Sequence, residues 1–277
     1  HRYFGQSLPT TDASFDNLQW LTVHQAVADI GRFAGFMRQR YLDAPVILWG
    51  RNYGGSLAVW ARQKYPNVID GAWSSSSPLN AIVENVDYFP NVFRIINNIG
   101  GSECGQILAD AFRFMEESFV ERNTSFMEQR LKFCTPLDHD SGYDIARATN
   151  WIAQDIGENF VSNARYPDID EKCRIMRGVD QPNNPPSNAL DAFARWYIDD
   201  FNSEIDCLAV TNDEVVAQFQ ATEWESDASS TGRRQRFWLS CTQMGQLATA
   251  NNGEGHPFGT RFDLRFYEQW CVDAFQN

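Results

Sequence analysis

Residues 45–60, PVILWGRNYGGSLAVW, decide the fold expected for this chain. A short apolar run at 46–49 is typical of a buried parallel strand, and a glycine-rich turn at 50–55 follows it directly. The next residues, 56–64, have a helix-like pattern. Glycines let the chain turn sharply because they have no Cβ that would clash. The stretch therefore predicts a strand, a tight turn and a helix in immediate succession.

The flanking sequence extends this stretch into a parallel α/β unit. Thr22 and Gln25 form the capping box of a helix whose apolar spacing continues to about Tyr41. A second strand is expected within residues 68–73, ending at the serine run 74–77. The order helix, strand, helix, strand is typical of a parallel α/β arrangement.

After Pro78 the pattern becomes mostly helical. Apolar residues recur at helical spacing in 107–119 and 189–197, and the polar stretch 178–188 is expected to be an exposed loop. From about Phe237 the chain is expected to return to the sheet. We therefore predict an α/β protein with three segments: an α/β part with the glycine-rich turn (1–80), an inserted helical domain (81–235) and a return to the α/β part (236–277).

Composition excludes several classes of protein. Apolar residues make up 43% of the 277 residues and charged residues 21%, which is typical of a globular protein with a core. The net charge of −13 and the pI near 4.7 argue against nucleic acid or anionic lipid as a partner. No apolar run reaches the length of about 18 residues that a membrane span needs.

The six cysteines indicate disulfides rather than a metal site. They are widely spaced, with no CxxC pair and no histidine at metal-ligand spacing, so we expect neither metal nor cofactor. An even, dispersed set fits three disulfides and an oxidising compartment, with buried free thiols as the alternative. Asn123 begins a single N-glycosylation sequon and, beside the cysteines, favours a secretory route. The cysteines are Cys104, Cys134, Cys173, Cys207, Cys241 and Cys271.

The glycine-rich turn is similar to a nucleophile elbow, the G-x-S-x-G motif between a strand and a helix. Gly50 and Gly54 occupy the two glycine positions, and Asn52 occupies the position of the serine. Tyr53 follows, and its backbone N–H is the candidate donor of an oxyanion hole. An ordinary strand-to-helix turn is the alternative interpretation of the glycines alone.

Collinear segments of the chain resemble the prolyl carboxypeptidase and dipeptidyl peptidase 2 family, which also includes the thymus-specific serine protease. The segments are HRYFGQSLP (1–9), LTVHQAVADIGRF (21–33), GRNYGGSLAVWARQKYP (50–66) with GAWSSSSPL (71–79), and FWLSCTQMG (237–245). The resemblance implies an α/β-hydrolase sheet with an inserted, disulfide-linked helical domain. It implies short peptides with proline at or near the cleaved bond as substrates, and an extracellular or lysosomal location. A homodimer is the oligomeric state that it suggests.

The resemblance also implies one disulfide pairing out of the many that six cysteines allow. The implied disulfides are Cys104–Cys173, Cys134–Cys207 and Cys241–Cys271. The family's catalytic Asp and His follow the last matched segment, so we expect them beyond Asn277 and interpret the chain as a fragment trimmed at both ends. His24, His139 and His256 do not align with that histidine, and we expect each at the surface or in a capping role.

Asn52 departs from the family pattern, as does Arg51, where the family has glycine. A carboxamide nitrogen is not a nucleophile at neutral pH, whereas asparagine tolerates the positive φ of an elbow. Ser56 lies one helical turn further on, and its hydroxyl is expected to bond an early backbone group of the helix.

These departures leave three hypotheses open. The first is a catalytically silent family member that acts as a peptide-binding or decoy protein. The second is an active carboxypeptidase or dipeptidyl peptidase in which Asn52 is a variant. The third is an unrelated helical binding protein.

Overall fold

The computed structural model describes residues 1–42, 44–162, 166–250 and 253–275. They form two compact units. The first unit contains residues 1–83, 218–246 and 271–277, and the second contains residues 84–217 and 247–270. The predicted segment boundaries near residues 80 and 235 stay a prediction.

The described residues form a helix-rich α/β structure. The strands are β1 Ile47–Arg51, β2 Gly71–Ser75, β3 Ile82–Glu84 and β4 Gly245–Leu247. The α-helices are α1 Val23–Arg40, α2 Tyr53–Lys64, α3 Tyr88–Val120, α4 Ser125–Arg130, α5 Gly142–Asp155, α6 Tyr166–Arg177, α7 Ala189–Trp196, α8 Asn212–Gln220, α9 Asp227–Ser230, α10 Arg233–Leu239 and α11 Leu264–Phe275. Shorter helical turns are Asn17–Trp20, Ile156–Ser162, Tyr197–Phe201 and Ser240–Met244.

The predicted order of helix, strand, helix and strand is confirmed by α1, β1, α2 and β2. β1 and β2 pair in parallel, with Trp49 opposite Trp73. Helix α2 provides the crossover between them, as parallel neighbours require. β3 and β4 form a second two-stranded sheet.

The core of this α/β unit lies between α1, α2 and one side of β1. Leu48 points into it, because alternate side chains of a strand face opposite sides. The buried residues of this core are Ala26, Val27, Ala34, Leu57, Ala61 and Ile69.

The expectation of a fully buried first strand is wrong. Ile47 and Trp49 on β1 are 64% and 76% exposed, and Trp73 on β2 is 68% exposed. These side chains point away from the core that Leu48 joins. A continuous apolar run identifies a strand but does not show how many of its faces are covered.

The segment after Phe237 is helical at first, and its expected return to the α/β part stays a prediction. It begins within α10, continues through the helical turn Ser240–Met244 and reaches only the three-residue strand β4. The Thr242 hydroxyl donates to the Trp238 carbonyl at 2.7 Å, one helical turn earlier. A short apolar run such as FWL fits a strand and a buried helix equally well, and tertiary packing selected the helix.

The second unit is mostly helical and contains two of the three disulfides. Cys104–Cys173 joins α3 to α6, and Cys134–Cys207 joins the segments that follow α4 and precede α8. The third, Cys241–Cys271, belongs to the first unit. This is the pairing that the family resemblance implied. Each disulfide closes a long loop of the unfolded chain and stabilises the fold by roughly 2–5 kcal/mol.

Helix α1 gives a test of the α/β unit. The Thr22 hydroxyl oxygen accepts the backbone N–H of Gln25 at 3.1 Å and so caps the helix. Thr22→Ala is expected to lower the free energy of unfolding by about 1 kcal/mol, because this N–H would lose its acceptor. Chemical denaturation followed by circular dichroism measures the change, with Thr22→Ser as the matched control. An equal loss in both variants would contradict the capping role.

Candidate functional site

Asn52 lies between β1 and α2, at the N-cap of the helix. Its backbone has φ 52° and ψ −131°, a conformation that non-glycine residues rarely adopt. Its N–H donates to the Ser75 carbonyl of β2 at 3.0 Å. Its carbonyl accepts from the N–H groups of Gly55 and Ser56 at 3.0 and 3.2 Å. The sheet and the helix therefore both hold the strained residue in place.

The glycines around Asn52 permit the turn for different reasons. A Cβ on Gly50 would lie 2.3 Å from the carbonyl oxygen of Gly54, so strand and helix backbones touch there. A Cβ on Gly55 would lie 2.0 Å from the Ser77 hydroxyl. A Cβ on Gly54 would meet nothing within 4 Å. Gly50 and Gly55 are thus required by packing, whereas Gly54 lies in open space.

The side chains of Asn52 and Arg51 are both exposed. The Asn52 carboxamide makes no capping hydrogen bond to α2. The strained backbone therefore presents the carboxamide to solvent, which is what an elbow does with its nucleophile. Tyr53 is the first residue of α2, where a backbone N–H has no acceptor inside the helix. Its proposed role as an oxyanion donor stays a prediction.

The Tyr53 side chain is half-buried beside the elbow, and its hydroxyl lies 3.1 Å from Nε2 of His1. Burial raises the pKa of Tyr53 to about 12, so the phenol is neutral at physiological pH. Sequence reasoning missed this contact, since 52 positions separate the two residues. The family match at residues 1–9 was the available signal that the first residues belong near the elbow.

A cavity of about 650 Å³ lies next to the elbow within the first unit. Apolar residues of α1, β1 and α2 form most of its wall, including Phe33, Trp49 and Leu57. Arg2 and Asp29 add one ion pair, with two hydrogen bonds of 2.7 Å. The hydrogen bonds from Arg2 lower the pKa of Asp29, so this carboxylate stays ionised. The cavity thus combines apolar walls with a neutralised pair of charges.

Ser56 is fully buried, and its hydroxyl donates to the carbonyl of Pro78 at 2.8 Å. This acceptor lies outside the helix, so the expected bond to an early backbone group of α2 is wrong. A buried hydroxyl bonded to a carbonyl cannot reach a substrate as a nucleophile. Within the serine run, the Ser77 hydroxyl donates to the Ser75 carbonyl at 3.0 Å, at the end of β2.

The three histidines interpreted as surface or capping residues differ in burial. His24 is exposed on α1, and His139 is half-buried beside Thr124. His256 is buried, so a surface position is wrong for this residue. Its Nε2 donates to the Ala250 carbonyl at 2.7 Å, and its Nδ1 accepts the N–H of Phe258 at 3.1 Å. Both ring nitrogens therefore form hydrogen bonds with backbone groups of the second unit.

Neither a metal-binding cluster nor a membrane-spanning helix occurs among the described residues. Among them, no group of three or more His, Cys, Asp or Glu residues could hold a metal ion. None of the described helices is both long enough and apolar enough to cross a bilayer.

Comparison with known proteins identifies relatives over the whole chain. The family model described as serine carboxypeptidase S28 matches residues 1–277. A putative serine protease of Caenorhabditis elegans is 25% identical, with 99% of this chain and 53% of the relative aligned. The thymus-specific serine protease of Mus musculus is 27% identical, with 99% of this chain and 55% of the relative aligned. The lysosomal Pro-X carboxypeptidase of Bos taurus is 30% identical, with 98% of this chain and 56% of the relative aligned. The chain thus spans about half the length of the curated relatives it matches.

Gly50 provides a test of the elbow geometry. Gly50→Ala is expected to lower the free energy of unfolding by about 1–3 kcal/mol, because the new methyl group would overlap the Gly54 backbone. Gly54→Ala is the matched control, and it should be neutral or stabilising by up to about 1 kcal/mol, because alanine is the better helix former. Chemical denaturation of the two variants measures the contrast. Equal stabilities would show that β1 and α2 do not touch at this turn.

His256 predicts a dependence of stability on pH. Burial lowers its pKa, because the folded protein disfavours the imidazolium form. Below a pH of about 6.5, the ordinary pKa of histidine, the unfolded chain binds a proton at His256 that the folded chain does not. The free energy of unfolding therefore decreases as the pH falls, until the pH reaches the lower pKa of the folded state.

The test of His256 compares thermal unfolding at pH 7 and pH 5 in the parent protein and in His256→Gln. The drop in melting temperature should be smaller in His256→Gln, which cannot titrate. His24→Gln, at an exposed position, is the control. An undiminished drop in His256→Gln would overturn the assignment.

Proposed function

Because the chain belongs to the serine carboxypeptidase S28 family, we propose that Asn52 stands at the nucleophile position of its elbow and leaves the chain catalytically silent. The observation that carries this proposal is the strained backbone of Asn52, between a parallel strand and the first turn of α2. The close approach of Gly50 to Gly54 supports it, because it lets the strand turn sharply into the helix, as in an elbow.

The chemical reason is the difference between a hydroxyl and a carboxamide. A serine nucleophile transfers its proton to histidine and attacks the carbonyl carbon of the substrate. The nitrogen lone pair of Asn52 is delocalised into its own carbonyl, so the side chain cannot attack. Loss of a triad nucleophile leaves roughly 10³–10⁴-fold catalysis over water, from the oxyanion hole and binding alone. Such a rate is negligible for peptide bonds.

The function that remains is the binding of short peptides. The backbone N–H of Tyr53, at the start of α2, supports binding of a peptide carbonyl or carboxylate. The bovine relative is named a Pro-X carboxypeptidase, so proline-containing peptides are the ligands that we propose. Three disulfides fit a secretory route, and relatives are named lysosomal or extracellular. We propose a lysosomal or extracellular location on this basis.

We also propose that β1 and β2 belong to an α/β-hydrolase sheet with the helical segment 81–235 inserted into it. The parallel pairing of the two strands and the elbow between β1 and α2 support this assignment. The family's carboxypeptidase and dipeptidyl peptidase activities differ in which end of a peptide is cleaved. Neither specificity is assigned to this chain, and the homodimer stays a prediction.

The test is labelling of the full gene product with a fluorophosphonate probe, which reacts only with an activated serine. The protein with Asn52 should not be labelled, and Asn52→Ser should gain labelling if the remaining triad members are present. Asn52→Ala is the matched control and should stay unlabelled. Hydrolysis of proline-containing peptides should follow the same order.

Labelling of the protein with Asn52 would overturn the silent assignment and favour an active peptidase with a different nucleophile. In that case mass spectrometry of the labelled peptide would identify the residue that reacts. If neither the parent nor Asn52→Ser is labelled, the chain is silent and the loss extends beyond Asn52, with exposed Arg51 as the next residue to replace.

A further inference from the structure

The turn between α3 and α4 fixes the backbone of Asn123. Arg122 has φ 56°, and its N–H donates to the Phe119 carbonyl at 3.1 Å. The N–H of Asn123 donates to the Ser118 carbonyl at 2.8 Å. These two bonds form the Schellman motif that ends many helices. The position of Asn123 is therefore set by the end of α3.

The motif orients the three residues of the sequon differently. Thr124 is buried, and its hydroxyl lies 3.1 Å from Nε2 of His139. Asn123 and Ser125 on either side of it are exposed. The structure thus buries the middle residue of Asn-Thr-Ser and leaves the acceptor amide and the serine hydroxyl in solvent.

Exposed apolar side chains flank the acceptor on both sides. Val120 precedes Asn123 by three residues and is 68% exposed, and Phe126 follows it by three residues and is 43% exposed. The Phe126 ring meets Phe114 edge-on, with ring centroids 6.0 Å apart. Both exposed side chains are thus within three residues of the acceptor in the chain.

We propose that Asn123 carries an N-linked glycan, attached in the secretory pathway, and that this glycan shields Val120 and Phe126 from solvent. The three disulfides indicate passage through the secretory pathway, because disulfides form in the oxidising lumen of that pathway. The sequon supplies the acceptor, and its exposure leaves room for a bulky, solubilising group on the folded protein.

The attachment is a glycosyl transfer from a lipid-linked oligosaccharyl diphosphate. A bond forms between Nδ2 of Asn123 and the anomeric carbon of the first sugar, while the bond from that carbon to the diphosphate oxygen breaks. The diphosphate leaves with the bonding electron pair, and the amide loses one proton to solvent. Nothing is oxidised or reduced.

The first experiment tests the site itself on full gene product secreted from a eukaryotic host. Treatment with peptide N-glycosidase should increase gel mobility and convert Asn123 to aspartate in the tryptic peptide 123–130. Asn123→Gln and Ser125→Ala should each abolish the shift, and Ser125→Thr should keep it. Asn67→Gln, an exposed asparagine outside any sequon, is the matched control and should keep it too. A secreted parent protein without a glycan at Asn123 would overturn the proposal.

The second experiment tests shielding on the folded parent protein, before and after removal of the glycan. Enzymatic deglycosylation should increase the fluorescence of a dye that binds apolar surface. The increase should be smaller in Phe126→Gln, which removes one of the two apolar neighbours. An unchanged dye signal after complete deglycosylation would overturn the shielding role. Neither experiment depends on Asn52, so both can succeed or fail independently of the proposed function.

Discussion

The close approach of Gly50 to the carbonyl of Gly54 is the contact on which the candidate site depends. It allows β1 to run directly into α2, so that Asn52 alone absorbs the change of direction with a positive φ. The hydrogen bonds of Asn52 to β2 and to the first turn of α2 then hold that strain. A side chain at position 52 projects into solvent for this reason, whatever its chemistry. The hydrogen bonds that hold this turn come from backbone groups, so its geometry does not depend on a hydroxyl at position 52.

Both compact units contain a disulfide, and they differ in their other stabilising contacts. In the first, small residues of α1 and α2 pack against β1, and a buried arginine, Arg234, adds hydrogen bonds to three backbone carbonyls. Burial lowers the pKa of Arg234 to about 10, so it stays charged at physiological pH. In the second unit, disulfides close long loops, and a cluster of aromatic rings surrounds Phe89 and Phe258. Aromatic pairs of this kind add about 0.5–1.5 kcal/mol each beyond their buried area.

The sequence predicted structure correctly where the residues that decide it lie close together in the chain. The Thr22 cap and the order from α1 to β2 follow from residues within a few positions of one another. Interpretation failed where the outcome depended on distant parts of the chain. The apolar run of β1 did not show that Trp49 would be exposed, and FWL after residue 236 did not show that it would be helical. The acceptor of the Ser56 hydroxyl, Pro78, lies 22 positions away.

The sequence by itself determined the elements of the candidate site, because glycine spacing, capping residues and the identity of residue 52 are chemical facts of the chain. It also determined that position 52 carries a carboxamide and no hydroxyl, and the lone pair of a carboxamide nitrogen is delocalised into its carbonyl. Only the tertiary structure decided that Asn52 adopts the strained conformation, that His256 is buried with both ring nitrogens bonded, and that Asn123 faces solvent. These properties depend on which backbone atoms meet across long separations. A local sequence pattern does not specify these long-range contacts, because the packing free energy depends on many residues that lie far apart in the chain.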